Sequence, residues 1–207
     1  MKHLIKSILA GILIGIGATT YLSLENRIVG SVLFSIGLFI ILTKELNLFT
    51  GKVGYLFENG LEYAKEVVIT LFGNFIGTFV FAYVLRFTRI ISKVGIEAEK
   101  ICNIKLLDSY VSIFILSFCC GILMYLAVNG YKTAKDVFSK YAGVFLAIPV
   151  FILCGFEHCI ANMFYFTLAN MWSLNTVCFL VIMILGNSIG GVFFPLTDKL
   201  IKGLDKK

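Results

Sequence analysis

Charge is scarce in this chain, and histidine and proline scarcer still. Asp, Glu, Lys and Arg make up 14% of its 207 residues, with two histidines and two prolines. Soluble domains carry about a quarter of their residues as charges, so the shortage argues against a fully water-facing surface. The six cysteines form no Cys-x-x-Cys pair, and Cys119, Cys120, Cys154, Cys159 and Cys178 lie inside apolar runs. That removes the usual zinc and redox spacings and leaves small packing residues. Lysine and arginine exceed acids by 18 to 12, yet the excess sits at termini and loops rather than in a stripe. It reads as membrane topology, not nucleic-acid binding.

Apolar residues are what the chain has in abundance: 59% of the total, with a mean hydropathy of +0.94. Runs near the roughly 20 residues needed to cross hydrocarbon recur at 8–24, 28–43, 67–85, 106–128, 141–171 and 174–196. These six spans predict an all-α polytopic membrane protein. The start, Met1-Lys2-His3, resembles a signal-peptide leader, but no small-residue cleavage site follows and it is read as the first span. A charged connection is expected at 86–105 and a basic loop at 129–140.

Two spans are interrupted. The second runs into Lys44-Glu45-Leu46-Asn47-Leu48-Phe49-Thr50-Gly51-Lys52, and the fifth is too long for one crossing, contains Pro149, and holds Gly155-Phe156-Glu157-His158-Cys159-Ile160-Ala161-Asn162-Met163. Proline removes a backbone donor and kinks a helix, so the fifth span reads as a broken helix, as does the second, which stops without a conventional loop. Irregular backbone at membrane depth survives only when buried in protein or lining a wet cavity. Ionisable side chains there cost about 2.5–3.5 kcal/mol each and mark function by default, which singles out His158. Glu157 is expected to play a structural part, accepting N–H groups that the break exposes.

The sequence also repeats itself. Gly-Asn-x-Ile-Gly occurs at Gly73 and again at Gly186, each at a similar distance after a broken segment. An odd number of spans separates the copies, so the chain is expected to be a single domain built as an inverted 3+3 repeat. The first repeat covers about 1–88, a connection 89–105, and the second repeat about 106–198. Such repeats place a substrate path at the midplane between discontinuous helices. Counted with the N-terminus inside, lysines and arginines number eleven inside and six outside, which predicts both termini in the cytoplasm.

At these residues the chain resembles the formate/nitrite transporter family of formate, nitrite and hydrosulfide channels. The fifth-helix stretch Gly155-Phe156-Glu157-His158 to Asn162-Met163 carries the likeness, with Leu48-Phe49-Thr50, Phe34-Ser35-Ile36-Gly37-Leu38 and Gly186-Asn187-Ser188-Ile189-Gly190-Gly191 in the same order and spacing. The resemblance implies a homopentamer in the lipid bilayer of a bacterial cell membrane, with six-helix, aquaporin-like protomers each holding a pore, and no cofactor. It implies that His158 is the central pore histidine, Thr50 the hydroxyl on the second-helix loop, and Lys105 a lysine at the start of the fourth helix. Leu38, Leu48 and Phe151 fall at apolar constrictions bracketing the histidine, Asn162 belongs to the pore cluster, and Asn74 and Asn187 are structural amides. Asn47 departs from the family pattern, where an acid is common, and Gly121 stands where asparagine is.

The implied function is passage of a small monovalent anion or its conjugate acid, with Lys105 attracting the anion and His158 supplying a hydrogen bond or a proton. An ion-coupled transporter of another small solute is the alternative. A metal site using Glu157, His158 and Cys159 is poorly furnished, because consecutive helical residues cannot converge and the other histidine is His3. A water or glycerol channel would carry Asn-Pro-Ala pairs, which are absent.

Overall fold

The computed structural model describes residues 1–204, all helical apart from turns. Lys206 and Lys207, two of the inward-side charges counted above, lie outside the described residues. The helices are α1 (Lys2–Ser23), α2 (Arg27–Phe34), α3 (Ile36–Thr43), α4 (Phe49–Lys52, continuing as a 3-10 turn at Val53–Tyr55), α5 (Leu61–Leu85), α6 (Ile91–Leu106), α7 (Tyr110–Thr133), α8 (Val137–Leu153), α9 (Cys159–Leu168) and α10 (Leu174–Leu204). Four of them, α1, α5, α7 and α10, are long and apolar enough to cross a membrane.

The bundle is apolar on its outside as well as in its core, and a small set of polar residues is buried within that core. Large apolar side chains such as Phe72, Val80, Val111, Ile115, Leu146 and Leu185 face outward, while Thr50, Asn74, Glu157, His158, Asn162 and Asn187 are buried. Two helix pairs frame it, α1 along α5 and α7 along α10. Both rest on the second glycine of the repeated motif. A Cβ on Gly77 would collide with the carbonyl of Ile8, and one on Gly190 with that of Phe118. Without a hydrophobic drive in lipid, such close backbone approach supplies the packing energy.

Several boundaries differ from the sequence expectation. The second span divides at Ser35, whose N–H bonds the carbonyl of Val32 in a local tightening of the turn. Helix α5 begins at Leu61, the charged connection is largely the helix α6, and α10 continues through Pro195 to Leu204. The basic loop shrinks to 134–136 because Asp136 caps α8, accepting from the Ser139 N–H at 2.8 Å. Pro149 does not break its helix. It sits within α8, which ends four residues later, where Gly155 adopts φ +70°.

Both breaks end in the same way. Glu45 (φ 50°) and Gly155 take the left-handed conformation, and the next N–H reaches back five residues, from Leu46 to the Ile41 carbonyl and from Phe156 to that of Phe151. This is the Schellman closure, which satisfies carbonyls that a helix end leaves open. The first break uses a glutamate for it and the second a glycine.

Candidate functional site

Each break exposes main-chain groups inside the bundle, and one asparagine holds each of them. Asn74 Oδ1 accepts from the Phe49 N–H at 2.8 Å, while its Nδ2 donates to the carbonyls of Ser7 (2.7 Å) and Asn47 (2.8 Å). Asn187 repeats the arrangement, accepting from the Cys159 N–H at 2.8 Å and donating to the carbonyls of Ser117 and Glu157, both at 2.7 Å. Asn47 further ties its loop to α1 through the His3 carbonyl. The Glu157 carboxylate takes no main-chain N–H among these bonds. Asn187 does that work, a correction to the sequence reading.

The helices that restart after the breaks meet at their first residues. Thr50, on α4, lies 2.9 Å through Oγ1 from His158 Nε2, and His158 caps α9 by accepting the Ala161 N–H on Nδ1 at 3.2 Å. A main-chain N–H only donates, so Nδ1 is bare. The neutral ring therefore carries its proton on Nε2 and donates to Thr50, leaving the threonine hydroxyl hydrogen free to point elsewhere. Both side chains are almost fully enclosed, His158 at 2% and Thr50 at 1% exposure.

Aromatic and aliphatic side chains close around this pair. The Phe151 ring stacks on the imidazole with centroids 5.7 Å apart, and Phe34 meets Phe151 edge-on at 6.1 Å. Leu38, one turn beyond Phe34, and Leu48, two residues before Thr50, are buried at 1% and 2%. A cavity of about 500 Å³ opens beyond the leucines, lined by Asn47, Lys52, Lys132 and Lys140 among others. A second, of about 200 Å³, lies against His158 and is lined by Tyr21, Lys105, Phe151, Glu157, Asn162 and Tyr165 among others.

Lys105 belongs to the last turn of α6 rather than to the start of α7. Its ammonium pairs with Glu157 Oε2, the side chains being 12% and 4% exposed. The same oxygen accepts from Asn162 Nδ2 at 2.8 Å. The structure thus brings together Thr50, His158, Phe151, Glu157, Asn162 and Lys105, and sets Leu38, Leu48 and Asn47 at the other cavity. Sequence reasoning passed over Phe34 as a site residue, although its place one helical turn before Leu38 was the available signal. It also passed over Lys52, Lys132 and Lys140, which lie on α4, α7 and α8 and come together only when these helices pack around one cavity. Gly121, the other departure, leaves no room for a side chain, because a Cβ there would strike the Asn187 carbonyl.

Comparison with known proteins gives a consistent result. The formate-nitrite transporter of Plasmodium vivax is 32% identical over 146 residues, 63% of this chain and 47% of that protein, so the match spans about half of that relative's length. The formate-nitrite transporter of Plasmodium falciparum (isolate 3D7) is 28% identical over 92% of this chain and 74% of its own. A solved structure described as a pentameric formate channel with formate bound superposes with a TM-score of 0.80 at 25% identity, covering 97% of this chain and 96% of that one. The pattern that describes formate/nitrite transporters matches residues 1–197, and with it this all-helical membrane chain belongs to the formate/nitrite transporter family.

Proposed function

We propose that the chain is a membrane channel for small monovalent anions or their conjugate acids, of the formate, nitrite or hydrosulfide class, acting as a homopentamer in which each protomer has its own pore. The observation that carries this reading is the Thr50–His158 bond, enclosed by apolar side chains between two lysine-bearing cavities. A bare charge entering such a constriction loses hydration worth tens of kcal/mol on the Born scale. No pair of neutral donors offsets that. The permeant therefore crosses as its neutral acid, formed in a lysine-bearing cavity, while His158 and Thr50 give it directed hydrogen bonds at the centre. Because protonating Nδ1 would break the cap on Ala161, His158 acts by donating a hydrogen bond through Nε2.

The path itself follows from an inverted repeat of six spanning units, α1, α2–α3 and α5 against α7, α8–α9 and α10, with 1–88 and 106–198 as the two halves and 89–105 between them. The matching asparagine clamps support it. The N-terminus of α9 adds its partial positive charge to the centre. The lysines around the larger of the two lysine-bearing cavities support a cytoplasmic orientation for that side and for both termini.

The test is stopped-flow flux in proteoliposomes with formate, nitrite and hydrosulfide over a range of pH. The expected result is fast flux that rises as pH falls and drops about 100-fold in His158→Phe, with the variant still assembling. Undiminished flux through that variant refutes the reading.

A further inference from the structure

We infer that Asn162 is the residue that recognises the protonated form of the permeant, its Oδ1 accepting the acid's O–H or S–H in the cavity beside Lys105. This rests on the neutral-acid route above and names the group that selects for it.

The orientation of the amide is fixed by its surroundings. Nδ2 donates to Glu157 Oε2 at 2.8 Å and to the His158 carbonyl at 3.0 Å. Flipping it would set an oxygen against two acceptors, so both N–H hydrogens are committed and Oδ1 is left over. That oxygen is buried and has no hydrogen-bond partner, an exception that calls for an explanation in a native fold. The residue is 1% exposed, as enclosed as His158 and Thr50, and it lies one turn along α9 from His158 at the edge of the same cavity. A molecule that parts these side chains to reach His158 meets Asn162 as well.

Three neighbouring donors already have protein partners: Lys105 on Glu157, the Ala161 N–H on His158 Nδ1, and His158 Nε2 with Thr50. The titratable groups facing the cavity are Glu157 and His158 from the break, Lys105 from α6, Tyr21 from α1 and Tyr165 from α9; α5, α8 and α10 contribute none to its lining. A carboxylate or nitrite oxygen placed against Oδ1 is repelled, whereas the conjugate acid gains a hydrogen bond. Asn162 therefore raises the apparent pKa of whatever occupies the cavity, and the channel accepts protons at a higher pH than the free acid would.

The experiment is formate influx into proteoliposomes as a function of pH, comparing the full chain with Asn162→Leu, which matches the volume but cannot accept, and with the smaller Asn162→Ala. The pH of half-maximal flux is expected to fall by about 0.5–1 unit in both, a three- to tenfold loss of acid occupancy on the scale of one neutral hydrogen bond. Flux should be reduced more near neutrality than at the lowest pH. A lower amplitude with an unmoved midpoint would reduce Asn162 to a structural partner of Glu157 and overturn the inference. If Asn162→Leu fails to assemble, the midpoint of Asn162→Ala decides alone. Flux of the unmodified chain that ignores pH would instead refute the neutral-acid route itself, so the two failures are distinct.

Discussion

The two breaks share a frame and differ in content. Each ends in a left-handed residue, each is clamped by an asparagine making three bonds, and each restarts a helix at the centre. The first presents a hydroxyl and two leucines. The second presents an imidazole and, beside it, the buried pair of Glu157 with Lys105. The frame is thus a repeated structural solution, and the buried ionisable side chains, Glu157 and His158, stand at one copy.

That asymmetry makes the second break the more fragile under substitution. Lys105→Ala leaves the Glu157 carboxylate buried without its cation, and stranding one member of a buried pair costs about 3–5 kcal/mol. Thermal unfolding in detergent is expected to show this loss, with most of it recovered in Lys105→Ala combined with Glu157→Gln. No loss in the single variant would mean the pair is replaceable by solvent.

The clamps test the shared frame directly. Asn74→Leu and Asn187→Leu each remove three hydrogen bonds around a buried turn, at about 2–4 kcal/mol when net bond values are summed. Equal destabilisation supports equivalent breaks, and a large difference between them breaks the comparison. A smaller effect of opposite sign is expected at Glu45, where a non-glycine residue holds φ 50°. Glu45→Gly should raise stability by a few tenths to about 1 kcal/mol, the left-handed strain being relieved against a gain in unfolded-state entropy. A lower melting temperature would show that the glutamate side chain is needed.

The smallest effect concerns the helices leading into the breaks. Helix α2 is capped by Asn26, which accepts from Ile28 and Val29, and α8 by Asp136. The Asp136 carboxyl is held below its usual value by the Ser139 N–H. Its contribution is therefore complete above the unfolded value and is lost as pH falls through the depressed one. Hydrogen exchange of the first turn of α8 should accelerate in acid while that of α2 does not, and Asp136→Asn should remove the difference. Matching acid sensitivity in α2 would refute this.

Much of the frame was legible in the residues. The apolar runs, the interruption after Thr43, the polar stretch at Glu157-His158 and the repeated Gly-Asn-x-Ile-Gly each reflect local pattern, and the helices follow them. The ends of helices were less legible. Pro149 looked like the breaking point, yet one missing N–H is a local defect that a long apolar helix tolerates, whereas Gly155 alone supplies the left-handed turn that ends it. Phe34 carried one signal, its place one helical turn before Leu38, but its part in the site shows only once Phe151 is set against it.

By itself, then, the sequence determined that the chain is a bundle of membrane helices, that two of these are interrupted, and that His158 stands at the second interruption. It could do so because hydropathy, periodicity and helix-breaking residues act over a few positions. Only the tertiary structure decided that Asn187, not Glu157, holds the exposed N–H group, that Glu157 belongs to Lys105, and that Asn162 keeps an oxygen without a partner. Those pairings join residues far apart in the chain, and hydrogen bonds depend on distance and direction, which exist only once the helices have crossed.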